Sequence, residues 1–481
     1  MPTTVQDESQ NVKKEHVLLP FLRGQSQNTL TRLYQRPSTC LSIFRLLSPL
    51  ERQIIMNLLW LESAISTSQM ATWVVREARP LYDSALETLA RIHILPHSTV
   101  KLALNATFKT SFRQALTGGG TSGSFGVPAA DGHDKNQEGE AADKKEDKRS
   151  PPTLAMLDSY ALERWETVLH YMVSSSNSEV RPAEPSPGVR FLLKTSGLMN
   201  EERPGGPLKI SSMGFQFLLH SPHEQLWHLL LQYLYLAEQR RMDLVDVLSF
   251  LFMLSTMELG REYSTSKLTR TQVAMLDDLR DYGLIWMRKT KSSRLSPTRL
   301  STTLTSSSPN LPTAGGTSSA PDEGYIILET NYRIYAYTDN PLQTSVLGLF
   351  TTFKYRFPNL VVGSITRDSV KKALKDGITA DQIITYLITH AHSNMRKNNP
   401  LLPVTVQDQI RLWELEKNRL KSQEGLLYTA FASQADYELV LKYAKELDVV
   451  LWENAAKRCF FGTVEGHQNI KGFIERRQGE R

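Results

Sequence analysis

Hydrophobic positions recur at three- and four-residue steps along most of the chain, and this helical period sets the first expectation. In LDSYALERWETVLHYM, Leu157, Ala161, Trp165, Val168, Leu169 and Met172 form one stripe, the pattern of a helix with a single buried face. Residues 224–258 are apolar nearly all round except at 238–243, which predicts two helices meeting there and packed among other helices. Two segments share an outline. FLLKTSGLM ends a helix at Gly197 and DDLRDYGLIW ends one at Gly283, each glycine suited to a left-handed cap. Strand-like runs follow, KISSMGFQFLL (209–219) and RLSPTRL (294–300), and residues 81–108 repeat the outline without the glycine. Helix, cap and hairpin in this order predict winged-helix-like units in series.

Two tracts interrupt the pattern. Residues 118–153 and 301–322 are rich in Gly, Ser, Thr, Pro and charge, and too poor in apolar side chains to offset the entropy of ordering; both are expected to be disordered linkers. Beyond the second tract the period changes to two. GYIILETNYRIYAYT (324–338) reads as strands, Asn340-Pro341 opens a helix through LQTSVLGLFTTF, and Thr379 to Gln382 has capping-box form before IITYLITHAH. After the helix DQIRLWELEKNRLKS comes a β-α-β-β-α run of roughly 55 residues, small enough that a partner extending its core would help it. The expected fold is mainly α with an α+β C-terminal part: tandem winged-helix-like domains, an α/β segment and a small β-α-β-β-α domain. The expected boundaries are 1–117 (N-terminal winged-helix-like domain), 118–153 (linker), 154–300 (tandem winged-helix-like domains), 301–323 (linker), 324–400 (α/β segment) and 401–481 (helix and small α/β domain).

Composition narrows the function classes. The 481 residues are 40% hydrophobic and carry only two cysteines, Cys40 and Cys459, which cannot build a thiolate zinc site or a disulfide framework. No stretch nears the roughly 20 apolar residues of a membrane span, and residues 1–16 lack the apolar core of a signal peptide. A reducing compartment, cytosol or nucleus, is expected. The net charge of +6 is too diffuse to establish a nucleic-acid partner.

Catalytic patterns are missing. Gly118 to Gly123 formally match GxGxxG, but a helix-like FKTSFRQAL precedes them where a dinucleotide site needs a strand, so they read as linker glycines. There is no phosphate-binding GxxxxGK[ST] and no GxSxG elbow. His220, His223 and His228, and the pair His390 and His392, lack flanking metal ligands and read as surface or helix-end histidines. No enzyme, cofactor or metal is expected.

Three surfaces remain as candidates. Arg288, Lys289, Lys291 and Arg294 lie where the wing of a winged helix would be and could contact a DNA backbone, against a reading as a solvated hairpin tip. Asp277, Asp278 and Asp281 on the polar side of the preceding helix would repel phosphate, so base readout by that helix is not expected. Tyr332, Arg333, Tyr335 and Tyr337 combine aromatics with a guanidinium, the composition of binding hot spots. In the last domain Leu426, Tyr428, Phe431, Phe460 and Phe461 are more aromatic than so small a unit can hide, which points to a protein partner.

The blocks LYQRPSTCLSIFRLL (33–47), ERWETVLHYMV (163–173), GFQFLL (214–219), MDLVDVLSFLFMLS (242–255), ETNYRIYAYT (329–338), YRFPNLVVGSITRDSV (355–370) and DQIRLWELEKNRL (408–420) resemble, in order, the Tfb-two or subunit-four family of general transcription factor IIH. The resemblance implies a nuclear, non-catalytic core subunit serving RNA polymerase II initiation and nucleotide excision repair. It implies that 324–400 is a clutch for an XPB-type helicase/translocase whose ATPase the subunit stimulates, placing Glu329, Tyr332, Arg333, Tyr335 and Tyr337 at that contact. It further implies that the last domain pairs with the smallest subunit, of trichothiodystrophy group A/Tfb-five type, through Leu426, Tyr428, Phe431, Phe460 and Phe461. Other core subunits, including the vWA-type ones, would be held by the N-terminal domains. The different-class alternative is a stand-alone winged-helix DNA-binding transcription regulator.

Overall fold

A computed structural model describes residues 16–96, 100–118, 123–129, 152–174, 183–201, 206–289, 292–305, 324–417, 419, 424–429, 431 and 433–478. Most of the two tracts expected to be linkers, and Lys291, lie outside the described residues. The chain forms two compact units, Met1–Arg411 and Leu412–Arg481.

The first unit begins with helices α1 (Leu18–Arg23), α2 (Gln27–Tyr34), α3 (Pro37–Leu46) and α4 (Pro49–Leu59). Strand β1 (Ile65–Ser66), helices α5 (Thr67–Ala71) and α6 (Arg79–Arg91), strand β2 (Lys101–Leu102) and helix α7 (Ala106–Thr117) follow, with β1 antiparallel to β2. Local chemistry sets the starts: Ser48 with Glu51 and Ser66 with Gln69 form capping boxes, and prolines occupy the first positions of α3 and α4.

The next stretch holds α8 (Leu154–Ser174), α9 (Pro187–Thr195), the hairpin β3 (Met199–Glu201) and β4 (Leu208–Ile210), α10 (Ser212–Leu218), α11 (Pro222–Tyr235) and α12 (Leu244–Thr256). Then come β5 (Tyr263–Ser264), α13 (Arg270–Asp281), β6 (Ile285–Trp286), β7 (Arg294–Pro297) and α14 (Arg299–Thr302), the strands forming an antiparallel sheet in the order β5-β7-β6. All six apolar positions of the α8 stripe are buried. Gly197 (φ 73°) and Gly283 (φ 71°) do take the left-handed conformation. At Gly283 a Cβ would stand 2.5 Å from the Ala161 carbonyl oxygen, so glycine also permits close packing on α8.

Three expectations are corrected here. The run after β4 is helical, because Ser211 caps α10 by accepting a bond from the Gly214 amide. The second tract begins later than expected, since 301–302 complete α14 and Leu304 and Thr305 in the turn after it are buried. The apolar core is continuous from Leu18 to Leu304, so the expected boundary at 118–153 does not divide it. Helix α12 explains this continuity: Val247, Leu248, Phe250, Leu251, Phe252 and Leu254 are all buried, and it packs against α2, α3, α13 and α14. Full burial of each such side chain is worth roughly 1.5–3 kcal/mol.

The rest of the first unit contains β8 (Ile326–Leu328), β9 (Arg333–Ala336), α15 (Pro341–Leu347), β10 (Thr352–Phe357), β11 (Leu360–Ser364), α16 (Arg367–Lys375) and α17 (Ala380–Thr389), followed by α18 (Val404–Lys417), within which the division between units falls. The sheet is antiparallel in the order β10-β11-β9-β8. The helix opened by Asn340 ends at Gly348, and the residues expected to extend it enter β10. This segment is fastened to the preceding helices: α15 packs on α8, Asn340 donates to Glu166, and Phe215 of α10 meets the rings of Phe350 and Tyr386.

The second unit has the expected order: β12 (Gly425–Tyr428), α19 (Gln434–Glu446), β13 (Val450–Asn454), β14 (Cys459–Thr463) and α20 (His467–Gln478). Its sheet runs β12-β14-β13, and its core gathers Tyr437, Val440, Ala444, Phe460 and Ile470.

Candidate partner-docking surfaces

The β8–β9 hairpin is shaped by local bonds. The Tyr332 amide donates to the Glu329 carbonyl, the Arg333 amide to Asn331 Oδ1, and Asn331 Nδ2 to the Glu329 carboxylate. Tyr332 sits at φ 66°, a left-handed turn position held by its carbonyl accepting from the Ile365 amide. Beyond the turn β9 alternates: Ile334 and Ala336 are buried, whereas Arg333, Tyr335 and Tyr337 share the other face. The Tyr335 phenol hydrogen-bonds the exposed Arg333 guanidinium and favours its charged form.

Register extends this face across the sheet. Ile327 pairs with Tyr335, Tyr335 with Val362, and Val362 with Tyr355, giving one cross-strand row. Tyr355 is 63% exposed and Phe357 53% exposed, and every residue of β10 is exposed. Gly363 makes room for the Phe353 ring, whose Cδ1 lies 3.3 Å from where a Cβ would stand. The two sheet edges differ. At β8, the Tyr325 and Ile326 amides donate to the His390 carbonyl, and the His392 amide donates to Ile326. At β10, no strand among the described residues pairs with the outer side. Phe353, Tyr355 and Phe357 were missed as candidates, although their alternation before the Pro358-Asn359 turn is a strand signal.

In the second unit the predicted aromatics separate onto two faces. Tyr428 stacks on Phe460 with ring centroids 4.7 Å apart, and Phe431 lies 5.9 Å from Phe460, all on the side covered by α19 and α20. Phe460 is fully buried and Leu426 lies at the margin of that side, so Phe460 is a core residue of its own domain. The opposite face carries the row Leu427–Phe461–Trp452. Leu427 is 56% and Trp452 53% exposed; neither was a candidate, because the alternation fixes two faces without saying which one the helices cover.

The basic wing is internally compensated. Arg288 and Arg294 each place a guanidinium nitrogen 3.3 Å from a different carboxylate oxygen of Glu262, and Arg288 lies over the Trp286 ring. Lys289 is exposed. The expected outward row of acids on α13 also needs correcting. Asp277 is exposed beside Arg280, but Asp278 is buried, pairing with Arg240 at 2.7 Å and accepting from Ser186 and Tyr233. Asp281 accepts from the Ser186 amide. A counter-charge and hydroxyl donors make burial of Asp278 tolerable. Gly188 leaves the space: a Cβ there would be 2.3 Å from Asp278 Oδ1.

His390 packs its ring 4.2 Å from that of Tyr386, and burial lowers its pKa. Among the described residues no group of His, Cys, Asp and Glu is placed to hold a metal, and no helix is long and apolar enough to cross a membrane.

The family model described as Transcription factor Tfb2 matches residues 20–393, and that of the Transcription factor Tfb2 (p52) C-terminal domain matches residues 408–475. The chain is 46% identical to the Yarrowia lipolytica protein named General transcription and DNA repair factor IIH subunit TFB2, covering 95% of this chain and 96% of that one. The Saccharomyces cerevisiae protein of the same name is 37% identical over 96% of this chain and 98% of its own length. The Dictyostelium discoideum General transcription factor IIH subunit 4 is 39% identical over 69% of this chain and 68% of its own.

Proposed function

The chain belongs to the transcription factor Tfb2 family, and on that premise we propose that it is a non-catalytic, nuclear core subunit of general transcription factor IIH, acting in transcription initiation and DNA repair. In this reading it lends surfaces to a motor. The 324–400 segment anchors an XPB-type translocase, the second unit pairs with the smallest subunit, and the N-terminal helices hold other core subunits such as the vWA-type ones. The observation that carries the reading is the four-stranded sheet, sealed along β8, open along β10, and faced with Arg333, Tyr335, Tyr337 and Tyr355. An open edge offers main-chain pairing, and an aromatic face with a guanidinium offers the side-chain pockets of a hot spot.

ATPase stimulation follows if this face contacts one translocase conformation better than another, because only differential affinity shifts a population. The fastening of α15 to α8 makes the sheet a fixed support for such a bias. Exposed Trp60, Trp73, Val75 and Leu81 on and around α4 to α6 are apolar surface available to other subunits.

We read α12 to β7 as a winged-helix topology, since β5 lies between α12 and α13, the hairpin of β6 and β7 follows α13, and the three strands pair in the order β5-β7-β6. The Glu262 pairing of Arg288 and Arg294 weighs against the DNA-binding regulator, because those charges already have a carboxylate partner. The test is reconstitution of the factor with Arg333→Glu. Loss of translocase retention and of ATPase stimulation, with this chain still folded, supports the anchor; full retention and full stimulation contradict it.

A further inference from the structure

Residues 123–129 fall inside a tract whose composition predicts no order, yet they dock on two parts of the first unit at once. Gly123 and Gly126 bridge to form a tight turn, with Gly126 at φ 84°. The turn carries Ser124 to the start of α3. That helix has Arg36 at its cap position, with no side-chain capping bond, and the Ser38 amide donates instead to Ser124 Oγ at 3.2 Å. A hydroxyl from 86 positions away thus does the work of a cap. The segment then runs antiparallel along the outer edge of β5. Pro128 pairs with Tyr263, the Ser264 amide donates to the Val127 carbonyl at 2.8 Å, and the Ala129 amide donates to the Glu262 carbonyl at 2.9 Å.

The fit is close at one point and loose at others. A Cβ on Gly126 would stand 2.5 Å from Met257 Cε and 2.8 Å from Tyr263 Cδ1, so no other residue fits that approach without displacing them. None of the seven residues is fully buried. A cavity of about 380 Å³ lies beside the segment, lined in part by Gln35, Ser38, Lys267, Thr269 and Gln272. Partial exposure along its whole length and an adjoining cavity are the marks of an element that opens locally, well below the cost of global unfolding.

We propose that residues 123–129 are a releasable strap: a fourth strand supplied in cis that covers the β5 edge and caps α3, and that opens independently of the core beneath it. Docked, it protects a short edge strand from pairing with another chain. Released, it bares the backbone of residues 262–264, the Ser38 amide and the apolar faces of Met257 and Tyr263, a site for an extended strand. Glu262 links the strap to the wing, because its carbonyl receives the strap while its carboxylate holds Arg288 and Arg294.

Hydrogen-exchange mass spectrometry on the full chain in the reconstituted factor tests this. The Ser264 and Ala129 amides are expected to exchange more slowly than free peptide but about 100-fold or more faster than the core amides of α12. Gly126→Val is expected to speed Ser264 exchange about tenfold or more, leaving α12 unchanged. Ser124→Ala, a milder change, is expected to speed exchange at Ser38 about fivefold through the lost cap. If Ser264 exchanges as slowly as α12, the strap is part of the global core, and if it is unprotected the strap is not docked; either overturns the proposal. Should Gly126→Val disturb α12 as well, Ser124→Ala decides, and unchanged exchange at Ser38 in that variant also overturns it.

Discussion

The β10-β11-β9-β8 sheet and the β12-β14-β13 sheet, both antiparallel, solve the same problem at different scales. Each covers one face with helices and turns an aromatic face outward: Arg333, Tyr335, Tyr337 and Tyr355 on the four-stranded sheet, Leu427, Phe461 and Trp452 on the three-stranded one. The larger sheet belongs to a unit that anchors it through α8, α10 and α15, so its exposed face is not needed to complete a core. Among the described residues the smaller sheet closes over a small core of Tyr437, Val440, Ala444, Phe460 and Ile470. Surface-to-volume scaling makes so small a core marginal, and under the proposed function its exposed row would serve both as docking surface and as the missing part of the core. A partner should stabilise the small unit strongly and the large one little.

The sharpest way to break this comparison is to damage the small core itself. Phe460→Asp buries a carboxylate among Tyr428, Phe431 and Tyr437, and is expected to cost about 4 kcal/mol or more, unfolding residues 424–478 while leaving the first unit intact. Differential scanning fluorimetry with hydrogen exchange reads both units. Trp452→Asp, on the outer face, should leave the isolated fold unchanged and reduce small-subunit affinity about 100-fold or more, measured by calorimetry. If the two variants behave alike, the assignment of faces is wrong.

A determinant internal to the large unit sharpens the contrast. Burial, reinforced by His223, lowers the His16 pKa from 6.5 to about 4. The unfolded chain therefore takes up a proton on His16 before the folded one does. His16 contributes its full stabilisation above pH 6.5 and loses it as pH falls toward 4, on the order of 3 kcal/mol at most. Denaturant titrations at pH 7 and pH 4.5 should show this decline, and His16→Phe should flatten it.

Smaller effects separate binding from folding in the large sheet. Tyr355→Ala should weaken translocase binding about tenfold with no change in melting temperature. Thr379→Ala removes the box that starts α17, and should cost about 1 kcal/mol of stability with no direct effect on the docking face.

What the sequence made legible was the part decided locally. The stripe on α8, the caps at Gly197, Gly283 and Thr379, and the β-α-β-β-α order of the last domain all follow from period and capping chemistry. The misses have tertiary causes. Asp278 looked solvent-facing because Arg240, Ser186 and Tyr233 are far from it in sequence. Arg288 and Arg294 looked available because Glu262 approaches from the neighbouring strand region. Of the five aromatic and apolar candidates in the last domain, Phe461 lies on the outer face and Phe460 in the core, a distinction set by which side the helices cover. Of the β10 aromatics, Phe353 was hidden by the helical run that Gly348 cuts short, whereas Tyr355 and Phe357 lay beyond it.

Site-specific photo-crosslinking in the assembled factor tests the central claim most directly. With a photoreactive residue at Tyr355 in one preparation and at Trp452 in another, the first should capture the translocase and the second the smallest subunit. Capture of the same protein from both positions, or of neither partner from either, would contradict the account.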